Sequence, residues 1–150
     1  MRTPPTTMPA LITPFGRDDS IDTGAHRHNL ALLTERGVRG FLIGGSTGQG
    51  PYLEPGERSV LVRTARDELG EAPFLLVGIS AQSVRQAIRQ IRELDGAGAD
   101  AILVVTPTFL LRADHGLVIS FFHAVADAST LPVFLYTVPA VTSYELSVDA

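Results

Sequence analysis

The chain has 150 residues, 45% of them hydrophobic and 19% charged, with a formal net charge of -4. That length suits one domain with a sizeable core, and the charge argues against a nucleic-acid or anionic-membrane partner. No cysteine occurs, which excludes disulfides, thiolate nucleophiles and cysteine-based metal sites.

The first residues carry Arg2 but no apolar h-region of a signal peptide, and no apolar run approaches the roughly 20 residues that cross a bilayer. A soluble cytoplasmic protein is expected. All 12 basic residues are arginine. Chemistry that needs a side-chain amine therefore cannot be completed by these residues alone.

In chain order, residues 8–13 (MPALIT) read as a first strand closed by Pro14. Asp22 is placed to cap a helix running to about Arg36, with Gly37 as its stop. Residues 41–43 (FLI) form the second strand. Pro55 suits a first helical turn, and that helix should run to Leu69 before Gly70. Residues 74–77 (FLLV) are the third strand. Ser83 or Gln82 opens the next helix, with Val84, Ala87, Ile88, Ile91 and Leu94 on one face and Gly96 and Gly98 ending it. Residues 101–105 (AILVV) make a fourth strand, closed by Thr106-Pro107. Asp114 should cap a helix whose buried stripe is Leu117, Phe121, Ala124, Val125 and Ala128. Residues 133–136 (VFLY) are the fifth strand, closed by Val138-Pro139, and Ser147 looks like a further helix cap.

The unit is strand then helix, four times over with a fifth strand, at intervals of about 30 residues. The strands are continuous apolar runs, as expected where a parallel sheet is covered on both faces. Two α/β architectures fit: a doubly wound sheet of five strands, or about the first half of an eight-stranded TIM barrel.

Candidate chemistry centres on residues 41–52 (FLIGGSTGQGPY). A buried strand breaks there into glycines that can turn with positive φ and approach a ligand closely. Ser46 and Thr47 sit between them, at the strand end where parallel α/β folds bind ligands; the plainer role is a structural turn whose hydroxyls cap backbone groups. Gly44 to Gly48 also satisfies the G-x-S-x-G nucleophile elbow of serine hydrolases. That motif needs a helix at the nucleophile, which Gly48, Gly50 and Pro51 oppose, and it needs a histidine, for which His115 and His123 are the later candidates. A phosphate-binding P-loop fails because Pro51 stands where lysine belongs. His26 and His28 diverge on a helix, so no metal site is expected there. Tyr136 ends a buried strand at the same sheet edge as Ser46 and Thr47, where it can relay a proton or simply rest with its hydroxyl at the rim of the core.

These pieces together resemble the dihydrodipicolinate synthase and N-acetylneuraminate lyase family of pyruvate-dependent aldolases. The resemblance rests on Leu11-Ile12-Thr13-Pro14-Phe15, Gly45-Ser46-Thr47-Gly48, Val105-Thr106-Pro107, Leu131-Pro132-Val133 and Tyr136-Thr137-Val138-Pro139, and it covers essentially the whole chain. It implies a TIM barrel, of which residues 1–150 are the N-terminal half of a single domain. It also implies a class I aldolase or lyase, in which a sixth-strand lysine beyond Ala150 forms a Schiff base with pyruvate or a related 2-oxo acid. On that reading Thr47, Ser46 and the Gly48 loop hold the substrate carboxylate, while Ser46 and Tyr136 take part in proton relay. No cofactor, metal, nucleic acid or membrane partner is implied, and a homo-oligomer, dimer or tetramer, is.

The departures from the family pattern are Phe109 for its tyrosine, Gln49 for its glutamate, Thr137 for its asparagine, and Val141 where the synthase branch has an arginine. The missing arginine fork favours a lyase or hydratase-aldolase over the lysine-biosynthesis synthase. A different reading takes the chain as a catalytically incomplete half-barrel serving as a structural or interaction protein.

Overall fold

The computed structural model describes residues 2–108, 114–142 and 144–146. The expectations at Phe109 and Ser147 lie outside these residues, as does the side chain of Val141. Four parallel strands, β1 (Gly40–Ile43), β2 (Phe74–Ile79), β3 (Ala101–Val105) and β4 (Val133–Tyr136), form one sheet in the order β1-β2-β3-β4. Helices α1 (Thr23–Glu35), α2 (Glu57–Leu69), α3 (Val84–Arg92) and α4 (His115–Ala128) precede or connect them, and a single turn, α5 (Pro139–Thr142), follows β4. In-order parallel strands joined by helices are the pattern of a barrel wall, whereas a doubly wound sheet reverses its strand order.

The expected first strand is reduced to one parallel bridge, Ala10 to Leu42, flanked by hydrogen bonds from the Leu11 amide to the Leu42 carbonyl and from the Leu42 amide to the Pro9 carbonyl. The stretch does lie along β1. Pro9 has no N–H to donate, and Pro4, Pro5 and Pro14 restrict the chain around it, so a longer ladder does not form.

Three of the four principal helices begin at the residue the sequence marks. Asp22 accepts from the Ala25 amide at 2.9 Å, Ser83 from that of Gln86 at 3.2 Å, and Asp114 from that of Leu117 at 3.1 Å. Each cap satisfies one N–H that the helix cannot pair itself. The second helix starts later than expected. Gly56 takes φ +89° and acts as its cap, leaving Pro55 in the preceding turn, and the Glu57 carboxylate reaches back to the Glu54 amide at 2.8 Å.

The main core lies between sheet and helices, where Phe41, Ile43, Leu75, Val77, Ile79, Ile102 and Val104 meet Leu30, Leu61, Ala87, Ile91, Phe121 and Val125. A second cluster, Phe74, Leu76 and Ala101 with Leu42 and Leu103, covers the opposite sheet face. The buried stripe of α4 differs from expectation: Val118, Phe121, Phe122 and Val125 are buried, whereas Leu117 is 49% exposed and Ala128 is also exposed. That helix is apolar over so wide an arc that its periodicity admits two phases, and packing selects the one carrying both phenylalanines.

The two ends of the sheet are built differently. At the strand starts, Asp100 accepts from Arg66 at 2.5 Å, from Arg2 at 2.9 Å and from the Leu75 amide at 2.8 Å. Arg66 also donates to the carbonyls of Gly98 and Pro73. The strand ends carry loops.

Candidate functional site

The carboxyl ends of the strands converge on a recess lined by Leu42, Gly45, Ser46, Thr47, Gly78, Ser80, Leu103, Val105 and Tyr136, with Ala10 and Ile79 at its edge. The register explains the convergence. Leu42 pairs with Leu76, Gly78 with Leu103, and Val105 with Tyr136, so the inward positions of all four strands share one face. Its volume is about 60 Å³, on the scale of about two water molecules. That suits the carboxylate end of a small ligand better than a bulky cofactor. A larger groove of about 650 Å³ lies on the outer side of α3 among Val84, Arg85, Ile88, Arg89 and Arg92, away from the strand ends.

The rim is made by the turn after β1. Gly44 has φ +64° and Gln49 φ +56°, so the backbone is left-handed at both ends of the turn. The Gln49 amide donates to the Ser46 carbonyl and the Gly50 amide to the Gly45 carbonyl. The amides of Ser46, Thr47 and Gly48 have no acceptor among the described residues. Successive free N–H groups in such a turn form a concavity suited to an anion. Ser46 and Thr47 are exposed and line the recess beside it.

The turn is held from beneath. Buried Thr13 donates its hydroxyl to the Gly48 carbonyl at 2.6 Å. Arg58, on α2 and only 2% exposed, donates to the carbonyls of Gly78 and Gly50, each at 2.8 Å. Burial pushes its pKa down, and the charge of Glu93 opposes that shift.

Tyr136 meets the recess from β4, where its carbonyl accepts from the Thr106 amide at 3.1 Å and from the Thr106 hydroxyl at 3.3 Å. Across from it, the Gln90 side chain brackets Ser80, accepting from its amide at 3.1 Å and donating to its carbonyl at 2.9 Å. Ser46, Thr47, Gly48 and Tyr136, the four residues expected from sequence, thus lie at one end of the sheet, with Gly48 beneath the rim. Among the described lining residues Tyr136 alone is titratable, so an anion there faces hydroxyls and N–H donors without a carboxylate to repel it.

The features a hydrolase would need are differently arranged. No histidine lines the recess with Ser46. His115 stacks on Tyr144 and bonds its hydroxyl, and the segment after Ser46 forms a short 3₁₀ turn, Gly50–Tyr52, with α2 starting only at Glu57. Among the described residues no three His, Asp or Glu side chains gather as a metal site, and no helix is long and apolar enough to cross a membrane.

Sequence reasoning missed Arg58, Ser80 and Gln90. Ser80 carried a usable signal, being the first polar residue after the apolar run of β2. Arg58 and Gln90 carried none, because polar residues at those helical positions ordinarily face water.

A parallel sheet with helices on its outer face, glycine turns at the strand ends and a recess on its inner face defines a barrel-type α/β protein. Residues 4–150 match the model of the dihydrodipicolinate synthetase family. The chain belongs to that family. It is 33% identical over 143 residues to a 4-hydroxy-tetrahydrodipicolinate synthase of Methanothermobacter thermautotrophicus, covering 95% of this chain and 50% of the relative. An uncharacterized DapA-like lyase of Halobacterium salinarum is 32% identical over 142 residues, covering 95% and 46%. Among solved structures, YagE, a prophage protein of the dihydrodipicolinic acid synthase family from E. coli K12 in complex with pyruvate, superposes with a TM-score of 0.85 at 31% identity, covering 93% of this chain and 47% of that one. The dihydrodipicolinate synthase of Aquifex aeolicus gives 0.87 at 26% identity, covering 95% and 48%. The chain therefore spans about half the length of the relatives it matches, and its sheet is about half of a TIM barrel.

Proposed function

We propose that this chain supplies the carboxylate-binding and proton-relay side of a class I aldolase or lyase acting on pyruvate or a related 2-oxo acid. One observation carries the reading: Ser46, Thr47 and Tyr136 line the recess with no carboxylate among its described lining, and the Ser46, Thr47 and Gly48 amides of the adjoining turn have no acceptor among the described residues. The substrate carboxylate would sit on the Ser46–Thr47–Gly48 turn, which presents its ketone to the barrel axis. An amine would add to that ketone and water would leave, giving an iminium; the bond between the carbons α and β to it then breaks, its electron pair forming an enamine while the substrate hydroxyl loses its proton and becomes a carbonyl. Tyr136 and Ser46 would carry the proton of the substrate hydroxyl.

With no lysine in this chain, the amine must come from elsewhere in the barrel. Residues 1–150 are then the amino-terminal half of one barrel domain in a cytoplasmic homo-oligomer. Val141 in place of the synthase arginine supports a lyase or hydratase-aldolase branch, because valine has no fork for a second carboxylate.

The test is reductive trapping of the protein that carries this chain with pyruvate and borohydride, followed by peptide mapping. A reduced pyruvate adduct on a lysine outside these residues is expected. Absence of an adduct, together with no pyruvate binding, overturns the reading. Turnover of aspartate semialdehyde at a rate above cleavage of 4-hydroxy-2-oxo acids would overturn the lyase branch alone.

A further inference from the structure

Arg58 sits where a charged side chain has little reason to be for stability alone. It is 2% exposed, and no carboxylate lies within ion-pair distance among the described residues. Its neighbour on the same helix, Arg63, is exposed. Burying a guanidinium without a paired carboxylate is costly, and an apolar side chain of similar size would fill the space at less cost. Among the described residues the negative charge acting on it is Glu93, whose carboxylate accepts from the Gly56 amide at 3.3 Å.

What Arg58 gains is two carbonyls from two different segments, one near the end of β2 and one in the turn after β1. Its Nε donates to Gly78, which lines the recess, and its terminal nitrogen donates to Gly50, which closes the turn after β1. A planar guanidinium holds both bonds in one rigid frame, as an ammonium could not. The turn needs such support: Gln49, a non-glycine residue, has φ +56°, a conformation that persists only where the surroundings over-determine it.

We infer that Arg58 is the positioning residue of the candidate site, bolting the Gly44–Gly50 turn to the end of β2 and thereby fixing the Ser46–Gly48 amides for a 2-oxo-acid carboxylate. The inference rests on the substrate reading above. Arg58 touches no substrate; it acts through the carbonyls of Gly50 and Gly78.

The experiment compares the wild-type protein carrying this chain with Arg58→Met, which keeps the length of the side chain without donors, and Arg58→Lys, which keeps the charge with a one-point donor. Amide exchange across residues 44–50 reads the turn, and ligand-observed NMR with pyruvate reads the site. Arg58→Met should speed exchange in the turn relative to β2 and weaken pyruvate by about tenfold or more, the scale of one lost charge-assisted hydrogen bond. Arg58→Lys should recover part of both. A purely structural role would lower the melting temperature of both variants while leaving turn exchange and pyruvate affinity at wild-type values, and that result overturns the inference. Should Arg58→Met fail to fold, Arg58→Lys is judged by the same two readouts. A wild type that binds no pyruvate removes the substrate reading, whereas the exchange rates still decide whether Arg58 holds the turn.

Discussion

Gly50 lies so close to Gly44 that a Cβ on Gly50 would fall 1.8 Å from the Gly44 carbonyl oxygen. Gly78 approaches the same oxygen, its notional Cβ at 2.3 Å. Three backbone segments therefore meet at one carbonyl, with no room for a side chain at either position. Gly50→Ala should destabilise the protein by about 3 kcal/mol, at the upper end of overpacking costs because the obstacle is backbone that cannot swing aside. Urea unfolding of both proteins measures this; a loss below about 0.5 kcal/mol would show that the turn can open without penalty.

The hydroxyls at the rim should behave in the opposite way. Ser46 and Thr47 are exposed and make no side-chain hydrogen bond among the described residues, so Ser46→Ala and Thr47→Val should change unfolding free energy by no more than about 0.5 kcal/mol. Each should nevertheless weaken pyruvate by about tenfold, the net worth of a hydrogen bond to a charged group. On the proposed reading, Tyr136→Phe in the protein that carries this chain should lower kcat by about a hundredfold or more while leaving pyruvate affinity nearly unchanged, the signature of a lost proton relay. Equal losses in kcat and affinity would instead make Tyr136 part of the binding surface.

Asp100 and Arg66 form the most buried ion pair among the described residues, with side chains 10% and 8% exposed. Removing one partner leaves the other charge buried, which costs about 3–5 kcal/mol. Asp100→Ala should fall in that range by urea unfolding and should not alter pyruvate affinity in the protein that remains folded. A change in affinity at fixed stability would link the two ends of the sheet in a way the geometry gives no path for.

His26 predicts a dependence on pH. It is 1% exposed on α1, and its Nε2 has no hydrogen-bond partner among the described residues. Burial pushes its pKa below the usual 6.5, a backbone interaction with Leu61 opposes the shift, and the charge of Arg27 adds to it. The unfolded chain therefore binds the proton more readily than the folded one. Stability is unaffected by this group well above pH 6.5 and declines as pH falls below it, with a limiting slope of about 1.4 kcal/mol per pH unit. His26→Leu should remove that slope between pH 6.5 and 5; parallel stability curves for the two proteins would count against it.

Much of this was legible in the residue pattern, for identifiable reasons. Asp22, Ser83 and Asp114 each stand one residue before a helical run, and short polar side chains there have one favourable use. Ser46, Thr47 and Tyr136 could be brought together because parallel strands deliver whatever follows them to a common edge. The pattern failed where several physical solutions compete. Residues 8–13 have the composition of a strand, but whether a proline-flanked strand completes its ladder depends on donors its sequence removes. In α4 both Leu117 and Val118 are apolar, and only the packed partner decides between them. Arg58 was invisible because its two acceptors are carbonyls contributed by other segments, and a carbonyl leaves no mark in sequence.

The Arg2–Asp100 contact spans 98 positions of the chain. Arg2 also reaches the carbonyls of Ala72 and Pro73, and all of these acceptors lie far downstream. During synthesis at about 5–20 residues per second, about 5–20 seconds separate the addition of Arg2 from that of Asp100. The segment around Arg2 thus gains this anchor only after the residue that immediately precedes the third strand has been made.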